Sequence, residues 1–243
     1  MRFEPRLNNV VVPIVHTQRT ADGYVAEGSL GTGFPLKDKD NKLFIVTAAH
    51  VVRASAKGTS VPCALLYTSE FAPKVFPLTK VRFDDATDLA CCPIEVDPRS
   101  GIEVVPFGIT ADNTEQTRAV FVHEFSYTRS SKGVQGLELN FFPITHKGNI
   151  LSHIAGASVE HAKEPIGIYW LSEEMFEGAS GAPVLRDPDF AVCGVVLGSQ
   201  TELDAAGYLT GDQGIKRAFG VAVQAEVVKL ALGRMGLVAE YVK

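Results

Sequence analysis

Short apolar runs rich in Val, Ile, Leu and Phe recur along the chain, separated by turn-forming residues. The predicted strands are Asn9–His16, Gly28–Leu36, Leu43–Thr47, Ala64–Tyr67, Lys80–Phe83, Leu89–Ile94, Ala119–Phe125, Leu137–Ile144, Pro183–Arg186, Ala191–Leu197 and Phe219–Val223. Lys37–Lys42, polar throughout, predicts a hairpin tip, and Asp97–Gly101 predicts a connector between two halves. Many short strands at near-regular spacing predict a barrel or a sandwich. One helix is predicted near the end, where Val221, Val227, Val228, Leu230, Ala231 and Leu232 fall at helical spacing and Gly233 or Gly236 can stop it. No internal repeat, low-complexity tract or long linker interrupts the chain. The two halves, 1–100 and 101–243, are therefore expected to pack as one unit.

Composition narrows the function classes. The 243 residues are 46% hydrophobic and 21% charged, ordinary for a soluble globular protein with a sizeable core. Net charge is −5 and no run of Lys or Arg exceeds two residues, which argues against a nucleic-acid partner. The first six residues carry charges and a proline where a secretory leader needs an apolar core of about 7–15 residues. No apolar stretch approaches the roughly 20 residues of a membrane-spanning helix, so a cytoplasmic protein without a membrane partner is expected. Four cysteines, two of them adjacent at Cys91 and Cys92, make a two-bridge framework awkward and are read as reduced. Cys91, Cys92 and Cys193 lie in apolar runs as small hydrophobes. No Cys-x-x-Cys pair occurs, and His16, His123, His146, His153 and His161 fit no metal-ligand spacing; neither metal nor cofactor is expected.

Three local signals carry candidate chemistry. Leu43–Val52 brings an apolar strand straight into His50, after a Gly31-Thr-Gly-Phe34 segment that suits close backbone approach. Asp84-Asp-Ala-Thr-Asp88 places carboxylates directly before the apolar run Leu89–Ile94. Phe176–Val184 sets Ser180 among small residues in a tight loop ended by Pro183. Each signal alone fits a core histidine, a turn cap or an ordinary turn. Together they supply a hydroxyl nucleophile, a general base and a carboxylate to hold that base in one tautomer. Small residues around Ser180 free the backbone N–H groups of Gly178 and Ser180 to converge on a developing oxyanion.

The combination of Thr47-Ala-Ala-His50, Asp88-Leu-Ala90 and Gly178-Ala-Ser-Gly-Ala-Pro183 resembles the trypsin/chymotrypsin-like serine peptidases over nearly the whole chain. The resemblance implies two perpendicular six-stranded antiparallel β-barrels with a C-terminal α-helix, the first carrying His50 and Asp88 and the second Ser180. It implies a serine endopeptidase acting on a protein or peptide substrate through a Ser180-His50-Asp88 triad, an acyl-enzyme, and an oxyanion hole at Gly178 and Ser180. Asp84 and Asp85 are understudies to Asp88. Substrate contacts would come from Glu174, six residues before the serine and suited to a basic side chain, and from Leu197 and Gly198. The order His, Asp, Ser excludes an α/β-hydrolase, since no histidine follows Ser180; a subtilisin-like order would need its acid among Asp22, Asp38 and Asp40.

One departure from the family is informative. Where digestive members place an aspartate before the nucleophile to pair with a newly released N-terminus, this chain has Ala179. With a chain starting at methionine, this argues for control by a regulatory protein partner rather than by propeptide removal. The competing expectations are a catalytically silent binding or scaffold protein on the same fold, and an esterase or acyltransferase.

Overall fold

The computed structural model describes residues 10–20, 23–53, 60–70, 72–133, 136–201, 218–239 and 241–242. The first half comprises β1 (Val12–Thr20), β2 (Gly23–Lys37), β3 (Leu43–Ala48), the short helix α1 (Ala49–Arg53), β4 (Ser60–Tyr67), β5 (Pro73–Pro77), β6 (Arg82–Asp84) and β7 (Leu89–Ile94). The second comprises β8 (Ile109–Thr110), β9 (Ala119–Gly133), β10 (Gly136–Ala157), β11 (Ile166–Leu171), β12 (Pro183–Arg186), β13 (Val192–Thr201), β14 (Ala218–Gln224), helix α2 (Ala225–Arg234) and β15 (Tyr241–Val242). Between the halves, Pro98–Ser100 forms one 3-10 turn, with Asp97 accepting from the Arg99 N–H and Gly101 left-handed at its end. Lys37–Lys42 does make the β2–β3 turn, where the Asp38 carboxylate accepts from the Asp40 and Lys42 N–H groups, each at 2.9 Å.

The two halves are not equivalent. In the second, β12-β9-β10-β11-β14-β13 closes on itself because β12 also pairs with β13. In the first, the order is β5-β4-β1-β2-β3-β7-β6, and no pairing among the described residues joins its two ends. The two-barrel arrangement expected is met by one closed six-stranded barrel and, among the described residues, one curled seven-stranded sheet. The pairing is also not wholly antiparallel, because β8 lies parallel to both β13 and β15. A two-residue strand inserted by a long connection has no hairpin to fix its direction.

Alternation along the strands sorts side chains between two cores. Val120, Val122, Tyr169, Leu171, Val184, Cys193 and Ala222 fill the closed barrel. The opposite faces of β11 and β14, through Ile168 and Val223, join Phe34, Ile45 and Leu89 of the first half and Val228 and Leu232 of α2 in a larger shared core. Burial of Tyr169 pushes its phenol well above the ordinary range, while the hydroxyl accepts from the Thr114 N–H at 2.9 Å.

Two differences from the sequence pattern have a local cause. Val221 belongs to β14 rather than the helix, pairing with Gly198 and Trp170. The helix stops through a Schellman arrangement: Gly236, at φ 74°, donates to the Gly233 carbonyl, and Leu237 to that of Leu232. Strand β11 was not among the predicted runs because Gly167 interrupts it. A Cβ there would lie 2.6 Å from Gln224 Oε1, so packing, not strand propensity, dictates that glycine.

Candidate active site

Register brings the first pair of residues together. Strands β3 and β7 pair from Leu43↔Ile94 to Ala48↔Leu89, which leaves Ala49 and Asp88 adjacent just past the last pair. There the Ala49 N–H donates to the Asp88 carbonyl at 2.7 Å. Asp88 sits at φ 56°, a left-handed conformation that Asp and Asn tolerate best after Gly. This turns its carboxylate back onto the first turn of α1. One oxygen accepts the His50 backbone N–H at 2.9 Å, and the other meets His50 Nδ1 at 2.5 Å. The Asp88 side chain is fully buried, and a carboxylate withdrawn from water requires such partners. With Nδ1 occupied, Nε2 is the ring nitrogen left to the cleft.

The neighbouring carboxylates are committed elsewhere. Asp84, also buried, takes a two-pronged contact from Arg234 at 2.9 and 2.7 Å and bonds the Thr87 hydroxyl. Asp85 pairs with Lys163 and Arg53, whose hydrogen bonds hold its carboxyl below the usual range.

Ser180 lies in the connection between β11 and β12, folded by short local bonds: Ala179 N–H to the Phe176 carbonyl, and Ala182 N–H to that of Ala179. Its own carbonyl accepts from the Thr32 N–H on β2 at 2.9 Å. This contact requires glycine at 31, where a Cβ would stand 2.7 Å from the Ser180 carbonyl oxygen. Gly181 is constrained more severely: its φ is 87°, and a Cβ would fall 2.2 Å from both the Thr32 carbonyl oxygen and Thr47 Oγ1. Gly178 is left-handed too, at φ 97°. Among the described residues, neither the Gly178 nor the Ser180 N–H has a protein acceptor. The Ser180 hydroxyl donates to the Leu197 carbonyl at 3.0 Å, and no bond to His50 forms among the described residues.

His50 and Ser180 share a cleft of about 460 Å³. One wall is Leu197, Gly198, Ser199 and Val221; the other is Ser158–His161, from the β10–β11 connection. Leu197 and Gly198, expected as substrate contacts, line this cleft. Glu174 does not: its side chain is exposed and outside the lining, while the adjacent Met175 is buried and bound through its N–H to Ser199 Oγ at 2.8 Å. Ala179 is wholly buried among Val120, Met175 and Val184, an environment that would charge heavily for an aspartate.

Two site residues escaped the sequence. His161, at φ 72°, lies over the His50 ring, and Thr32 clamps the serine loop. Both act across more than a hundred positions of sequence or between the halves, and no local pattern encodes such contacts.

A family profile described as trypsin-like peptidase domain matches residues 31–195, and the chain belongs to that family. Among solved structures it is similar to the Rv3671c protease from M. tuberculosis in its active form: 22% identity, TM-score 0.58, covering 98% of this chain and 85% of that one. It is similar to Deg5 at 17% identity and TM-score 0.59, covering 94% and 89%. It is also similar to an HtrA-type protease, AlgW, carrying a serine-to-alanine change and a tripeptide, at 12% identity and TM-score 0.59, covering 94% and 60%. No curated protein sequence matches the chain. The fold is chymotrypsin-like, and no helix among the described residues is long and apolar enough to cross a membrane.

Proposed function

We propose that the chain is a serine endopeptidase in which Ser180 is the nucleophile, His50 the general base and Asp88 the group that orients it. The observation that carries this reading is the 2.5 Å contact between His50 Nδ1 and the buried Asp88 carboxylate, in one cleft with Ser180. Rotation of the Ser180 hydroxyl from Leu197 to His50 Nε2 starts the reaction. Oγ attacks the peptide carbonyl carbon as its proton passes to Nε2, and Asp88 stabilises the imidazolium. The carbonyl oxygen gains negative charge, which the Gly178 and Ser180 N–H groups receive. Nε2 then protonates the leaving amine, an acyl-Ser180 forms, and water releases it by the same steps in reverse.

Partner control fits Ala179, because a buried alanine offers a released N-terminus no counter-charge. Four buried free thiols fit a reducing compartment, so we place the protein in the cytoplasm. The protein substrate is read at Leu197 and Gly198. Comparing arginyl with leucyl substrates reports whether exposed Glu174 contributes; equal rates remove it.

One observation favours a silent binding protein: Ser180 points at Leu197 rather than His50. Fluorophosphonate labelling separates the two. Modification at Ser180, lost in Ser180→Ala, is expected; an unlabelled protein that still captures peptides would establish the scaffold.

A further inference from the structure

The oxyanion donors proposed above are the N–H groups of the 177–178 and 179–180 peptides, so their aim depends on what holds those planes and the planes beside them. Three successive carbonyls, at Gly178, Ala179 and Ser180, are each engaged away from the cleft. The middle one accepts from the Ala182 N–H, and both outer ones are held by Thr32. The Thr32 N–H donates to the Ser180 carbonyl at 2.9 Å, and its hydroxyl donates to the Gly178 carbonyl at 2.8 Å. That hydroxyl is itself oriented, accepting from the Phe125 N–H of β9 at 3.1 Å. The Thr32 carbonyl in turn accepts from Thr47 Oγ1 at 2.7 Å, which fixes the residue from the strand leading to His50.

Thr32 is fully buried and outside the cleft lining, so it touches no substrate. Gly178, lacking a Cβ, is the weakest link in the loop: its flanking peptides can reorient at little steric cost. A flip of the 177–178 peptide, whose N–H is the Gly178 donor, would turn a carbonyl, the wrong end of the dipole, toward the developing anion.

We propose that Thr32 is a positioning residue for oxyanion stabilisation, its buried hydroxyl fixing the 178–179 peptide that lies between the two donor planes, so that the Gly178 and Ser180 N–H groups face the cleft. This rests on the serine-peptidase reading. Two variants test it in the full chain. Thr32→Val keeps the shape and the backbone donor but removes the hydroxyl; Thr32→Ser restores it.

With active sites counted by fluorophosphonate titration, Thr32→Val is expected to lower kcat per titrated serine roughly 30-fold, less than loss of a direct donor, with KM within about threefold. Thr32→Ser is expected within about threefold of the parent. A kcat per site unchanged in Thr32→Val, or undiminished loss in Thr32→Ser, overturns the proposal. The Gly178 and Ser180 amide resonances, read by NMR, decide it without turnover: both shift in Thr32→Val and return in Thr32→Ser. Unmoved resonances overturn the clamp even in a parent protein that fails to label, a failure that would separately remove the peptidase reading.

Discussion

The imidazole of His161 lies against that of His50, with ring centroids 4.7 Å apart and planes inclined by 32°. The two residues come from different halves, and the contact is tied down nearby: the Lys163 N–H donates to the Asp85 carbonyl at 2.9 Å while its ammonium meets the Asp85 carboxylate. One face of the proposed general base is therefore roofed. Side chains flanking the scissile bond compete with the His161 ring for that space. In His161→Ala, kcat/KM for peptides bulky at that subsite is expected to rise roughly tenfold relative to glycyl peptides. An unchanged ratio in a peptide-library profile would mean that the ring does not bound the subsite.

The three neighbouring aspartates should separate cleanly on substitution. Asp88→Asn keeps a residue type that accepts the left-handed backbone, so the fold is expected to persist while kcat falls by about four orders of magnitude. Asp84→Asn should leave kcat per titrated site near the parent value but cost about 2 kcal/mol of stability, since it removes the charge that Arg234 neutralises. Steady-state kinetics beside urea denaturation distinguishes the two patterns. Similar kcat losses in both variants would move the orienting role away from Asp88.

Acid should weaken the fold through His123. Burial pushes this imidazole down to about 4 from an ordinary 6.5, while Nδ1 sits 2.7 Å from Thr145 Oγ1. The folded chain thus binds fewer protons than the unfolded chain between those values. Stability is complete above about pH 6.5 and declines by up to about 3 kcal/mol as pH falls to 4. Urea midpoints taken at pH 7 and pH 4.5 should converge in His123→Gln more than in the parent; parallel declines would place the acid sensitivity elsewhere.

The cysteines should be inert in the native state. Desolvation raises all four thiols, Cys91 and Cys193 to about 12, leaving on the order of one thiolate in ten thousand for those two at pH 8. An aromatic disulfide reagent is expected to titrate no thiol within an hour at pH 8, and four after denaturation. Rapid reaction of any one in the folded protein would contradict its burial.

Much of the site was legible because its chemistry is written in short stretches. His50, Asp88 and the Ser180 loop each follow or precede an apolar run, and the register of β3 against β7 turns two of those stretches into one contact. Asp88 could be told from Asp84 and Asp85 only by position, since all three precede the same strand; in the structure Asp84 and Asp85 pair with Arg234, Lys163 and Arg53 while Asp88 meets His50. The closing of one half and not the other lay beyond reach, because pairing of β12 with both β9 and β13 is a property of curvature rather than composition. Glu174 is reached in the sequence by counting alone: counting fixes spacing, and in the structure Met175 beside it is buried while Glu174 is exposed outside the cleft lining.

The end of the chain crosses back over the seam. Arg234, at the close of α2, grips Asp84; Arg82 donates to the Met235 carbonyl at 2.9 Å; and the Lys39 N–H reaches the Val238 carbonyl at 3.0 Å. With Thr32 and Lys163 fastening the other approaches, the two halves are stitched on several sides of the slot between them. Parting them like a hinge would break all of these seams at once. Under the serine-endopeptidase proposal, a peptide enters a slot whose walls are tied to each other from several sides, and an extended strand is the shape expected to fit it.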